Sequence, residues 1–345
     1  MRGFDRLASA SSIWLCVVIT ISACICHAQQ RARVVTGGMN AEFTVSDQEH
    51  SIAFYRDALG LGEPIARVNP ALPGVGQLTG TITGAAHVAR LPIPGASWTM
   101  EIVETTGVER KPVAGRRQDI GASGLILYVR DIDRTIATLK NSGATFVTVG
   151  GRAIHVQRKN AGYRAIVARD PNDFFIEVRQ MDQLPATTAP ASSNVVGAAI
   201  SISVENTDKT ARYWREILDF DVDTSASFSR EKSELALQGT PGAEIRTSIA
   251  AYPGSDVVFE LLEFKGIDRA ALHPHTQDPG SGAFALTCGD MSSLVSRLRS
   301  NPEGKILTVG NNALNQGARI AMFFQDLNGF VFEAIQRVDN GRSGK

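Results

Sequence analysis

The chain repeats itself, and that restricts it to architectures assembled from copied units. The octet Asp170-Pro171-Asn172-Asp173-Phe174-Phe175-Ile176-Glu177 returns as Asp326-Leu327-Asn328-Gly329-Phe330-Val331-Phe332-Glu333, with acid, turn residues, three apolar positions and a glutamate in the same order. Each copy reads as a turn that launches a short strand. Side chains alternate across a strand, so Phe174 and Ile176 share one face while Phe175 and Glu177 share the other. Each glutamate therefore looks into whatever space that second face covers.

The repetition extends well beyond the octets. At an offset of 159 residues Phe54-Tyr55-Arg56 meets Tyr213-Trp214-Arg215, Pro94-Gly95 meets Pro253-Gly254, and Asp131 meets Asp290. From Glu101 onward the second copy keeps Glu260, Glu263, Gly266, Arg269, Gln277, Asp278, Gly280, Leu286 and Asp290 without a gap. Duplication is the natural explanation. Within the first copy, Glu42-Phe43-Thr44-Val45 reads as a strand and Ser46-Asp47-Gln48-Glu49 has the form of a capping box. Ile52, Tyr55 and Leu59 then share one helix face, and Gly60 supplies the stop. A clear strand over 98–104 follows, and the pattern restarts with a strand at 125–129, a cap at Asp131, a helix over 132–141 and a stop at Gly143. Strands at 145–149 and 163–168 lead into the octet. The fold class predicted is α+β, built of tandem βαβββ units. The Pro-, Ala-, Thr- and Ser-rich run 182–194 reads as a linker between domains at 38–181 and 195–338.

Composition excludes some functions. Apolar residues make up 43% and charged residues 20% of the chain, and the formal net charge is zero. Such a chain has ample core and no electrostatic reason to bind a phosphate backbone, so nucleic acid is excluded as an expected partner and small molecules are preferred. Residues 1–28 read as a signal peptide: Arg2 and Arg6 give a basic start, 13–23 an apolar core, and Cys26-His27-Ala28 a cleavage site. The expected location is thus periplasmic or secreted. In the alternative, Ile21-Ser22-Ala23-Cys24 acts as a lipobox and leaves a lipoprotein anchored through Cys24. No transmembrane segment is expected, because the apolar core falls far short of the ~20 residues a span requires. Cleavage after Ala28 leaves Cys288 alone, which reads as a small buried hydrophobe.

Four βαβββ units, the helix text "SDQEHSIAFYRDALGL" and the octet text "DPNDFFIEV" together resemble the vicinal oxygen chelate superfamily, which includes glyoxalases, bleomycin- and fosfomycin-resistance proteins and extradiol dioxygenases. The resemblance implies two glyoxalase-like domains, each pairing two consecutive units in a curved mixed or antiparallel sheet that forms a cup. Up to four side chains of the cup wall hold a divalent metal in that family. The carboxylate places match Glu101 and Glu177 in the first half and Glu260 and Glu333 in the second. The histidine places fall on Asn40, Gly124, Ala199 and Ala283, so every imidazole is missing. A facial Fe(II) site or a Zn or Ni site loses its nitrogen ligands on this count. Asn40, Glu101 and Glu177, with Glu260 and Glu333 as the second set, would suit a hard ion such as Mg, Mn or Ca.

Without metal, two carboxylates sharing an apolar cup repel one another, which makes Glu101 or Glu177 a candidate general base. A glutamate closing a strand equally fits a solvated or arginine-paired group. Arg110 and Arg269, with Gln118-Asp119 and Gln277-Asp278, read as fixing the crossovers between units rather than as contacts to an anionic ligand. With the signal peptide and the missing histidines, the expected function is that of an exported protein that binds a small organic molecule in its cup, as the drug-sequestering members of the family it resembles do, with a homodimer open to it. The alternative is an atypical metal-dependent lyase or isomerase, or a ring-cleaving dioxygenase.

Overall fold

Each of the four units begins with a strand that one side chain converts into a helix. Asp47, Asp131, Asn206 and Asp290 accept hydrogen bonds from the backbone N–H groups of His50, Arg134, Lys209 and Ser293, at 2.9–3.0 Å. These bonds satisfy donors that a helix start leaves without intrahelical partners. The cap of the first helix is Asp47 rather than the Ser46 of the expected box. Ser46 instead donates through its backbone N and Oγ to Asn172 Oδ1, at 2.9 and 2.8 Å.

The computed structural model describes residues 33–68, 75–80, 84–158 and 161–338, so the signal peptide expected over 1–28 lies outside the described residues. Unit one contains β1 (Val35–Val45), α1 (Gln48–Ala53), a π-helical turn (Phe54–Ala58), β2 (Ala66–Val68), α2 (Val75–Thr79), β3 (Ala85–Pro92) and β4 (Thr99–Thr106). Unit two contains β5 (Ser123–Val129), α3 (Ile132–Asn141), β6 (Thr145–Phe146), β7 (Ile154–Gln157), β8 (Gly162–Arg169) and β9 (Phe175–Met181). Unit three contains β10 (Val195–Ser203), α4 (Thr207–Leu218), β11 (Asp221–Asp223), α5 (Lys232–Leu237), β12 (Glu244–Ala251) and β13 (Val258–Lys265). Unit four contains β14 (Gly282–Cys288), α6 (Met291–Ser300), β15 (Lys305–Ile306), β16 (Leu314–Asn315), β17 (Arg319–Gln325) and β18 (Val331–Arg337). The α+β class is as expected. Among the described residues no helix is long and apolar enough to cross a membrane.

The sheets join units differently from the expected consecutive pairing. One sheet has the order β15-β17-β18-β14-β1-β4-β3-β2 and combines units one and four, with β16 added on β17. The other, β11-β12-β13-β10-β5-β9-β8-β6 with β7 on β8, combines units two and three. The reason lies in strand edges. Within each unit the first strand runs parallel to the last, as β1 does with β4 and β5 with β9, which leaves its other edge unpaired. Those edges close antiparallel on one another, β1 on β14 and β10 on β5.

Consecutive units are joined through the octets instead. Asp170 is buried and accepts the Tyr55 hydroxyl at 2.8 Å, together with the backbone N–H groups of Asn172 and Phe174. Asp326 repeats this with the Trp214 indole N–H at 2.9 Å and the N–H groups of Asn328 and Phe330. The turn requires a left-handed residue, supplied by Asp173 at φ 64° in one copy and Gly329 at φ 78° in the other.

Helices and the sheet faces they cover share one core, including Phe43, Tyr55, Ile102, Leu127, Ile200 and Trp214. Trp214 packs edge-on against Phe259 with ring centroids 5.0 Å apart. Cys288 belongs to the same core, and burial pushes its thiol up to about 11, which fits a hydrophobe and not a nucleophile. The opposite face of each sheet is the wall of a cup. Thr308 Oγ1 donates to the Leu78 carbonyl and Thr148 Oγ1 to the Leu237 carbonyl, both at 2.9 Å, which ties α2 to the first cup and α5 to the second.

Candidate functional site

The sheet pairing redistributes the expected site residues. Glu101 stands with Glu333 in the cup of units one and four, the first cup. Glu177 stands with Glu260 in the cup of units two and three, the second cup. Neither Glu101 with Glu177 nor Glu260 with Glu333 shares a cup, contrary to the pairing that consecutive units would give. Gly124 accompanies Glu177, and Ala283 accompanies Glu333.

The second cup is filled by its own side chains. Arg179 follows Glu177 by two positions on β9, so strand alternation puts both on the cup face. Its guanidinium donates through Nη1 and Nη2 to Glu260 Oε1 and Oε2 at 2.5 and 2.8 Å, and through Nε to Glu177 Oε1 at 2.5 Å. Gln238, just past α5, donates to Glu177 Oε2 at 3.1 Å. Arg117 donates to Gln238 Oε1 at 2.8 Å and to Ser201 Oγ at 2.9 Å. Glu177, Arg179 and Glu260 are only 2, 4 and 3% exposed. Burial alone would raise the Glu260 carboxyl, but the bidentate Arg179 outweighs it and holds the group at about 2. Burial lowers Arg117 to about 10. The arginine-paired reading of a strand-ending glutamate is realised here.

The first cup is open. A cavity of about 230 Å³ is lined by Glu42, Arg90, Glu101, Val103, Phe323 and Glu333, among others. Glu42 was missed by counting family places. The first-strand residue level with Glu101 in the β1·β4 ladder is Glu42, whereas Asn40 is level with Thr99. Asn40 is buried on the same face and donates to Glu42 Oε1 at 3.2 Å. The signal was present, since Asn40, Glu42 and Thr44 alternate as three polar residues on one strand face.

Glu101 is engaged by Arg90, opposite it on β3, through Nε at 2.8 Å and through Nη2. Glu42 and Glu333 lack such a partner: among the described residues no arginine or lysine comes within ion-pair distance of either. Burial first, and then the Glu333 and Glu101 charges, push Glu42 well above the carboxylate range. Burial likewise raises Glu333 to about 7, against the opposing pull of Arg319. After burial, the Glu101 charge adds to the rise of both Glu42 and Glu333.

Three of the five expected metal ligands are already taken by arginine. Glu177 and Glu260 already chelate a guanidinium, and Glu101 is held by Arg90. Among the described residues no three His, Cys, Asp or Glu side chains are grouped to hold one. The histidines among the described residues lie elsewhere. His50, His273 and His275 are exposed, His155 pairs with Asp182 at the surface, and Val88 rather than His87 lines the first cup. Arg110 and Arg269 bind the carbonyls of Val45 and Val204, where the first strands of units one and three end. Asp119 accepts from Ala270 N, and Asp278 from Lys111 N, so the two crossover loops are stitched reciprocally.

These carboxyls set the expected pH dependence of stability. Asp170 is raised by burial to about 6 and Glu333 to about 7. A raised group stabilises fully below its unfolded value and loses that contribution as pH climbs through its folded value. Glu260 acts in reverse, since its contribution is present above 4.5 and is lost as pH falls toward about 2. The midpoint temperature is therefore expected to peak near pH 4–5, on the order of the ordinary carboxylate values, and to fall up to about pH 7. Thermal melts at pH 5 to 8 check this, and Glu333→Gln should flatten the upper part of the fall. A midpoint that climbs throughout that range would contradict the assignment.

Comparison with known proteins fits this geometry. The family model described as Glyoxalase/Bleomycin resistance protein/Dioxygenase superfamily matches residues 40–178. No curated protein matches the sequence. A point mutant of glyoxalase I from Zea mays superposes with a TM-score of 0.56 at 14% identity, covering 87% of this chain and 93% of that one. Glyoxalase I from Zea mays itself gives 0.54 at 13% identity, covering 87% and 92%. At such identity the likeness concerns the fold. Residues 40–178, which make up units one and two, thus match the glyoxalase, bleomycin-resistance protein and dioxygenase superfamily, and the fold of the chain as a whole is similar to that of glyoxalase I.

Proposed function

We propose that this is an exported small-molecule-binding protein whose binding site is the first cup. One observation carries the reading: of two cups built from the same repeat, one is closed by Arg179 and Arg117 and the other keeps a cavity of about 230 Å³. Apolar walls with a few convergent polar groups are what ligand sites in general present. Ala66, Val68, Ala86, Val88 and Val103 supply the walls, and Glu42, Glu101, Glu333 and Arg90 the polar floor.

A thermal-shift screen of small organic compounds tests this reading. Hits on the wild-type protein should disappear in Val103→Trp, which fills the cavity, and survive in Tyr128→Phe in the second cup. Hits indifferent to Val103→Trp would refute it. Export is supported by the basic, apolar and small-residue order of residues 1–28, and sequencing of the mature N-terminus should begin at Gln29.

An enzymatic reading also has a specific observation behind it. Glu333, held at about 7 and facing the cavity, has the proton affinity of a general base at neutral pH. Conversion of a bound hit that stops in Glu333→Gln while binding persists would favour a lyase or isomerase working by proton transfer.

A further inference from the structure

The repeat allows one cup to be read against the other, place by place. Glu101 corresponds to Glu260, Glu333 to Glu177, Thr79 to Gln238, and Glu42 to Ser201. The two arginines that fill the second cup, Arg117 and Arg179, correspond to Thr276 and Ile335 in the first. At these six places the first cup therefore has one carboxylate more and two guanidinium groups fewer, and the further Arg158–Glu234 pair of the second cup is balanced in charge. Two cations are added elsewhere, Arg90 where the second cup has Ile249 and Arg319 where it has Tyr163. Arg90 is engaged with Glu101. Arg319 donates to Gln316 at 2.9 Å and stays beyond ion-pair distance of Glu333.

From this comparison we infer that the first cup takes an organic cation, an ammonium, amidinium or guanidinium group on an apolar body, seated at Glu333, the place where Glu177 holds Arg179, and at Glu42, the place where Ser201 accepts from Arg117. The inference rests on the reading of this cup as the small-molecule site. Glu333 is 7% exposed, lines the cavity, and receives no hydrogen bond from a basic or backbone donor among the described residues. A buried carboxylate without a cation is costly, and sharing a proton with Glu42 relieves that cost. The charged groups facing the pair are Glu101 on β4, Arg90 on β3 and Arg319 on β17, while β14, α2 and the loop at Thr276 and Gln277 present uncharged side chains. Entry of a cation displaces the proton held between Glu42 and Glu333, so binding tightens as pH rises.

Calorimetric titration of the full mature chain with benzamidine, benzyl alcohol and benzoate tests the inference. Benzamidine is expected to bind most tightly, to release protons, and to gain about ten-fold in affinity from pH 6 to 8, as ionisation of a group near 7 dictates. Ile335→Arg supplies the guanidinium of the second cup in cis and should abolish benzamidine binding, while Glu333→Gln should remove the pH dependence. Melting curves establish that both variants are folded. Benzyl alcohol or benzoate binding as tightly as benzamidine would overturn the cation and leave the cup as a small-molecule site. Benzamidine binding unchanged in folded Ile335→Arg would overturn the placement. Failure of all three probes would remove the binding reading along with it.

Discussion

Arg179→Met is expected to destabilise the protein by about 3–5 kcal/mol, the range for removing one partner of a buried ion pair. The substitution is close in volume, so packing changes little. What changes is that Glu177 and Glu260 lose the three N–H groups that hold them and remain inside the fold. Arg117 stands 3.8 Å from Glu177 but is committed to Gln238 and Ser201, and it has no route to Glu260's oxygens equivalent to Arg179's fork. Denaturant titrations at pH 5 and pH 8 should show the larger loss at pH 8, since protonation relieves the stranded carboxylates in acid. Adding Glu177→Gln and Glu260→Gln should recover much of it. A loss under about 1 kcal/mol would mean that the pair behaves as an exposed surface bridge.

The second large effect is expected at the octet turn, where Asp326→Ala should cost about 3 kcal/mol or more, as several donors lose their acceptor at once in a buried place. Asn328 N, Phe330 N and the Trp214 indole all converge on this carboxylate. Asp326→Asn should be milder, because the amide oxygen keeps the two backbone bonds while its NH₂ faces the indole N–H. Equilibrium unfolding in urea measures both. Equal losses for Ala and Asn would show that the Trp214 bond, and not the turn, carries the contribution. The same comparison at Asp170 probes Tyr55 in place of Trp214.

Elements with local causes were legible in the sequence. The capped helices, the octet turns and the strands they launch follow from side chains within a few residues, and Tyr55 and Trp214 fell correctly on a core face. The partnership of units was not legible, because repeat offsets say which units are alike and not which free edges meet. That choice is made by β1 finding β14 across about the whole chain. Counting family places gave Asn40, although alternation along the strand already put Glu42 beside it. Arg179 was equally visible as the second residue after Glu177 on the same face. Arg117 was not, since it comes from a loop and reaches Gln238 of another unit.

The order of the units also favours one order of assembly. Units two and three are adjacent in the chain, so the plugged cup, Arg117 included, closes within residues 117–265, whereas β1 must wait for β14 at 282–288 before its second edge is covered. During synthesis from the N-terminus the arginine-filled half can therefore become native first and present a finished body against which the other sheet is zipped. The open cup is made of pieces separated by great sequence distance, β1 from β14, and contacts of that kind form slowly. Until then β1 is an unpaired edge, the segment of the chain most exposed to pairing with a stranger.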